Sequence, residues 1–204
     1  MKVVIFDNDG VVMKPIENFL DKLVKERDLD KSLVDKFFLE RFFPLCMTGK
    51  ADLKKELERE LPLWGIEDSV EEILNQWFRF ESKLNEEVIF IIRRLRDSGI
   101  KCFLATNNEK YRTNYLKKNL HYDDLFDGVF SSADLDCKKP DKLFYTKVFR
   151  EIEKIGISLD KVYYVDDDLE NVIAGTKFGF NSYNYDFNDH YGFINWLKSL
   201  KLIQ

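Results

Sequence analysis

Short apolar runs, each broken by a polar cluster, occur once at the start of the chain and repeatedly in its second half. Val3-Val4-Ile5-Phe6 leads into Asp7-Asn8-Asp9-Gly10. Lys101–Ala105 leads into Thr106-Asn107-Asn108, and Gly128–Phe130 into Ser131-Ser132. Val162–Val165 leads into Asp166-Asp167-Asp168, and Asn181–Tyr185 into Asp186. The first run, short and rich in β-branched residues, predicts an interior strand of a parallel sheet, and the others repeat its form. Between them apolar residues return at helical spacing. Glu86–Ser98 carries Val88, Ile91, Ile92 and Leu95 on one face, and Gly99 follows as a stop signal. The stretches 108–119, 141–155 and 169–178 also predict helices. So does the tail 193–202, with Ile194, Trp196, Leu197 and Leu200.

Strand–helix alternation over about 86–186 predicts an α/β protein built on a doubly wound parallel sheet. In such sheets the ligand sits at the carboxyl edge of the strands, where three polar clusters rich in Asp, Thr and Asn fall. Residues 15–84 follow another pattern. Helices are predicted over 17–27, 31–42, 51–61 and 69–82, with no strand between them. The aromatics Phe37, Phe38, Phe42, Phe43, Trp64, Trp77, Phe78 and Phe80 concentrate there and read mostly as core packing. Phe42-Phe43-Pro44-Leu45 lies at a helix end, where part of it can face a ligand. The expected division is a Rossmann-like core of 1–14 and 85–204, with 15–84 as an inserted all-helical cap.

Composition narrows the function. A chain of 204 residues with 45% hydrophobic and 15% aromatic content can bury a sizeable core. A net charge of −5 argues against a nucleic-acid binder, which would show a basic stripe. Cys46, Cys102 and Cys137 lie far apart, giving neither a disulfide framework nor a zinc spacing. No apolar run approaches the roughly 18 residues of a membrane span, and the first residues enter a strand with no basic-then-apolar leader. The expectation is a cytoplasmic protein with no nucleic-acid or membrane partner. Oligomeric state is left open.

Asp7 and Asp9 leave one strand on the same side. Two like charges held close need a cation or a shared proton. Thr106 and Asn107 offer a hydroxyl and a main-chain N–H at a helix start, a setting that attracts anions. Lys139, before Pro140, and its neighbour Lys138 offer mobile positive charge. Singly, each has a plainer reading: a solvated helix start for Asp166–Asp168, a turn residue for Thr106, a surface lysine for Lys139. His121 and His190 lie outside every cluster and are assigned no chemistry, and Cys102 reads as a small core residue.

Together, FDNDGVV, FLATNN, KKP and YYVDDDLENV, in this order and spacing, resemble the haloacid dehalogenase superfamily over nearly the whole chain. The resemblance implies a nucleophilic Asp7 that forms an aspartyl phosphate. It implies that Asp9 protonates the leaving oxygen and then deprotonates water. It implies Mg²⁺ held by the Asp7 carboxylate, the Asp9 main-chain carbonyl and Asp167, with Asp166 beside the site orienting a metal water. Thr106, Asn107 and Lys139 then bind the substrate phosphate, the family pattern placing the lysine directly before the proline. Asn171 ties the fourth motif to its neighbours, and Asp168 reads as a helix N-cap. Gly10 allows a sharp turn under the substrate, and Asn8, pointing away, is assigned no chemistry. The namesake dehalogenases lack the second acid of the first motif, so Asp9 favours a phosphatase acting on a small phosphorylated metabolite. The alternatives are a sugar-phosphate mutase, using Arg41 and Lys50 beside the cap loop, and a non-catalytic binding domain on the same fold.

Overall fold

The computed structural model describes residues 1–14 and 18–204. Its strands are β1 Val3–Phe6, β2 Lys101–Thr106, β3 Gly128–Ser131, β4 Val162–Asp166 and β5 Asn181–Asn184. They form one parallel sheet in the order β3-β2-β1-β4-β5. Every residue of β1 is buried, because helices cover both faces of the sheet. Side chains alternate between those faces. Val4 and Phe6 join Cys102, Leu104, Tyr163 and Val165 under the helices Glu86–Asp97 and His190–Ser199. Val3 and Ile5 join Phe103, Ala105, Val162 and Tyr164 under the helix Lys142–Glu153. Each of the four β1 side chains, Val3, Val4, Ile5 and Phe6, contributes about 1.5–3 kcal/mol on burial, which fixes the register of β1 firmly.

That register sets the site. Phe6 pairs with Leu104 on one side and Val165 on the other, so Asp7 emerges level with Ala105 and Asp166. The Asp7 N–H donates to Val165 O at 2.8 Å, carrying the ladder one residue past the strand. The chain fills the sheet outward through β2 and β3, then returns to the far side of β1 for β4 and β5. The junction of β1 and β4 is the topological switch point, where open α/β sheets bind ligands.

Between β1 and the helix Glu86–Asp97 the described chain is helical, with its own hydrophobic cluster around Phe37, Leu57, Trp64 and Phe78. Its helices start on side-chain caps. Asn18 accepts from Leu20 N, Asp52 from Lys54 N and Lys55 N, and Ser69 forms a capping box with Glu72. The helix expected over 17–27 runs Phe19–Arg27, and Glu17 lies outside the described residues. The one expected over 31–42 is α-helical for Lys31–Asp35 and then widens into a π-helix, Lys36–Arg41. The wider turn lets adjacent Phe37 and Phe38 both reach Trp64, at ring-centroid distances of 5.4 and 6.2 Å. Regular α-helical spacing would point neighbouring side chains about 100° apart. The segment returns where it left: Lys14 N–H donates to Lys83 O at 2.8 Å, and Met13 bridges Leu84. Among the described residues, no helix is long and apolar enough to cross a membrane.

Candidate active site

Asp7 stands at the tip of β1, buried, with two donors converging on its Oδ1. These are its neighbour's N–H, from Asn8 at 2.6 Å, and the Lys139 ammonium at 2.7 Å. The same ammonium lies 2.7 Å from Asp166 Oδ2, and its side chain is 1% exposed. Burial works against the charge on Lys139, but Asp7 and Asp166 together outweigh it and hold its pKa above the ordinary lysine value. Burial also dominates at Asp7. Opposed by Lys139 and reinforced by Asp166, it holds that carboxyl well above the usual carboxylate range.

Lys139 is aimed by its surroundings. Asn107 clasps its main chain from both sides, Oδ1 accepting from Lys139 N at 2.9 Å and Nδ2 donating to Lys139 O at 3.0 Å. The Asn107 side chain therefore positions the lysine, a role that sequence reasoning did not assign to it. Asp166 is fully engaged by the protein. It accepts from Lys139 Nζ, Tyr164 OH, Asp168 N at 2.9 Å and Asn171 Nδ2 at 3.1 Å. It is thus a buried brace for the lysine and for the start of the helix Leu169–Phe178. Asn171 makes the tie expected of it, and Asp168 is the helix N-cap, accepting from Glu170 N.

Asp167 is different. The residue is exposed, yet its carboxylate is tucked against Gly10, where an added Cβ would overlap it. Gly10 has φ +84°, which also favours glycine. Burial of this carboxylate and the nearby Asp166 push its pKa up to about 6. One oxygen each from Asp7, Asp166 and Asp167 lies within 4.8 Å of the others. These three carboxylates share one ammonium, Lys139, which pairs with Asp7 and Asp166, and Asp9 lies near enough to act on Asp7 and Asp167. Hard oxygen donors with this excess of negative charge suit Mg²⁺, and the cradle that Gly10 leaves for Asp167 fits such a group. Because both Asp166 oxygens already serve the protein, Asp167 is the carboxylate better placed to serve a metal.

Asp9 is exposed, and its carboxylate is held at both oxygens. Asn8 Nδ2 donates to Oδ1 at 3.0 Å and Asn108 Nδ2 to Oδ2 at 3.2 Å. Asn108 Nδ2 also donates to Thr106 Oγ1 at 2.6 Å. Thr106 is fully buried, and with its oxygen accepting, its hydroxyl proton is left to donate to an anion. Asn108 belongs to the polar cluster after β2 and to the predicted helix 108–119, and the sequence assigns it no role of its own. That helix runs Lys110–Asn119 and is capped by Glu109, which frees Asn108 to join the site. Asn8, expected to point away, is buried but bonded to Asp9.

Other candidates fall elsewhere. Arg41 is exposed and stacks over Phe42 with its guanidinium 5.2 Å from the ring centroid, and Lys50 is exposed. Among the described residues, neither bonds to the carboxylate cluster. His121 is exposed and His190 partly so, and Cys102 is buried in β2. The Gly49 turn touches the core, a Cβ there lying 2.7 Å from Ala133 O. Asp52 accepts from Lys110 and from Tyr111 OH at 3.0 Å. Arg112, buried, donates to Phe78 O at 2.7 Å and Glu81 O at 2.9 Å at the end of the helix Val70–Phe80.

Comparison with known proteins supplies relatives. A family model described as haloacid dehalogenase-like hydrolase matches residues 1–179. A sesquiterpene phosphatase of Aspergillus oryzae is 38% identical over 90 residues, which is 44% of this chain and 44% of that protein. An enolase-phosphatase of a Sulfurihydrogenibium species is 33% identical over 88 residues, 42% of this chain and 36% of that protein. The chain thus matches less than half the length of either curated relative. Among solved structures, a haloacid dehalogenase family enzyme of Bacteroides thetaiotaomicron superposes with a TM-score of 0.80 at 16% identity, covering 96% of this chain and 98% of that one. The same enzyme in complex with magnesium and inorganic phosphate gives a TM-score of 0.75 at 16% identity, covering 95% and 98%. The structural likeness shows a shared fold, and the family model reaches from β1 to the end of the helix that follows β4. On that match, the chain belongs to the haloacid dehalogenase-like hydrolases.

Proposed function

We propose that this enzyme hydrolyses the phosphate monoester of a small cytoplasmic metabolite through an aspartyl phosphate on Asp7. The observation that carries the reading is Asp9, an exposed carboxylate clasped beside a buried nucleophile. Displacing halide needs no such acid, whereas releasing an alkoxide does. The phosphatase names of both curated relatives support the same choice. In the first step an Asp7 carboxylate oxygen bonds to phosphorus and the ester P–O bond breaks. The leaving oxygen takes a proton from Asp9. In the second, water attacks phosphorus, gives a proton to Asp9 and releases phosphate, restoring Asp7. Lys139, with the Thr106 hydroxyl and the Asn107 N–H, neutralises the phosphoryl oxygens. The Asp7 carboxylate, the Asp9 main-chain carbonyl and Asp167 would hold Mg²⁺, which would supply the remaining positive charge when bound. Residues 15–84 are proposed as the cap over a core of 1–14 and 85–204. Their separate hydrophobic cluster and the paired crossing at Lys14 and Lys83 support that division.

The test is phosphate release from a panel of phosphomonoesters, with and without chelator. Turnover is expected only with Mg²⁺ restored. Asp167→Ala should raise the Mg²⁺ concentration for half-maximal activity ~10-fold or more, at least the effect of losing an outer partner of a metal site. Full activity in chelator would overturn the metal assignment.

A further inference from the structure

We propose that Tyr122 is a positioning residue for Asp9 and acts through Asn8. The proposal rests on Asp9 being the acid–base of the hydrolysis proposed above. Tyr122 opens the short helix Tyr122–Leu125 and is fully buried. Its hydroxyl donates to Asn8 Oδ1 at 3.0 Å, and Asn8 Nδ2 donates to Asp9 Oδ1 at 3.0 Å. The direction of this relay follows from chemistry. Both Asp9 oxygens accept here, from Asn8 and Asn108, so the Asn8 amide turns its NH₂ toward Asp9. The amide oxygen is then left facing the protein interior, where burial without a donor is costly. The Tyr122 hydroxyl is the donor that meets it. Turned over, the amide would set its oxygen against the carboxylate, and the hydroxyl opposes that rotation.

The anchor behind the hydroxyl is rigid. The Tyr122 ring packs edge-on against Phe126 at 5.3 Å, and Phe126 lies 6.5 Å from Phe6, the residue before Asp7. The relay therefore ties the second acid to the same packed wall that ends β1. On its other side Asp9 is held by Asn108, which also binds Thr106. An acid that must protonate a leaving oxygen and then take a proton from water depends on such placement. A shift of about 1 Å in a reacting group can cost on the order of a hundredfold in rate.

Acting through Asp9 has a signature that loss of packing lacks. An alkyl phosphate needs its leaving oxygen protonated, and an aryl phosphate hardly does. For both, kcat/KM, which reports formation of the aspartyl phosphate and departure of the leaving group but not the later attack by water, is measured for the wild type, Tyr122→Phe, Asn8→Ala and the double variant. Tyr122→Phe is expected to lower kcat/KM for the alkyl phosphate ~10-fold and for the aryl phosphate less than ~3-fold, a partial loss of acid catalysis. The double variant should be no worse than Asn8→Ala alone, because Tyr122 acts only through that amide. The alkyl-to-aryl ratio does not depend on how much of a sample is folded, and Asn8→Ala reads it independently should Tyr122→Phe fold poorly. Equal losses on both substrates, an unchanged ratio in both single variants, or multiplying losses in the double variant would each overturn the relay while the hydrolase reading stood. A wild type inactive on every phosphoester would defeat that reading itself, and the relay with it.

Discussion

Asp7→Asn is expected to give a folded protein with no measurable turnover of any phosphoester, a loss of ~10⁴-fold or more in kcat. An amide cannot take over the nucleophilic role proposed for Asp7, and Asp9, two residues on, is held at both oxygens by Asn8 and Asn108. Asp166 lies level with Asp7, but both its oxygens are committed to Lys139, Tyr164, Asp168 and Asn171. Folding should survive, because asparagine nearly matches aspartate in shape. The change also removes a charge that burial already disfavours at this position. Thermal unfolding should therefore shift by no more than about 5 °C, and that scan separates loss of chemistry from loss of fold. Turnover that persisted in Asp7→Asn would end its assignment as nucleophile.

Lys139→Ala is expected to damage both activity and stability. Its ammonium is shared by two carboxylates at 2.7 Å, in a pocket where the Lys139 and Asp166 side chains are 1% and 0% exposed. Removing it strands two buried acids. Breaking a buried ion pair by deleting one partner costs about 3–5 kcal/mol, which denaturant unfolding would show directly. Losing the charge proposed to face the phosphoryl oxygens should cost a further ~10²-fold in kcat in whatever protein remains folded. Lys138, one residue earlier, is exposed, and Lys138→Ala should change stability by less than about 0.5 kcal/mol and leave activity intact. If the two variants behaved the other way round, the geometry around Asp7 would be misassigned.

The strand ends were legible because each combines two local signals, an apolar run and the polar cluster that stops it. Val3–Phe6 and Val162–Asp166 announce their burial, and the residues just past them are where a parallel sheet presents chemistry. What stays hidden in a sequence is which strand lies beside which. Asp166 stands level with Asp7 only because β4 pairs with β1, and Lys139, 27 positions from Asp166, reaches both. The same holds for Tyr122 and Asn8, 114 positions apart. In the sequence Tyr122 is an aromatic residue between two predicted elements. Asn108 was hidden by a boundary: the helix begins two residues later than its pattern suggests, because Glu109 takes the capping position. Asn107 was recognised at the right place for a main-chain donor, and its side chain does a second job on the Lys139 backbone. The π-helix at Lys36–Arg41 has no local signal, since the need to bury both Phe37 and Phe38 arises only once Trp64 is folded against them.

Hydrolysis through an aspartyl phosphate is tested most directly by Asp9→Asn. On the proposed roles, that variant keeps the nucleophile and removes the group that activates water. With an aryl phosphate, Asp7 should still become phosphorylated, and the intermediate should break down slowly. Intact-protein mass spectrometry should then show a gain of about 80 Da on Asp9→Asn and none on Asp7→Asn, the pattern of covalent catalysis split at its second step. Hydroxylamine, which attacks acyl phosphates, should remove the added mass. An Asp9→Asn protein that never gains that mass, while the wild type turns over the same aryl phosphate, would contradict the account.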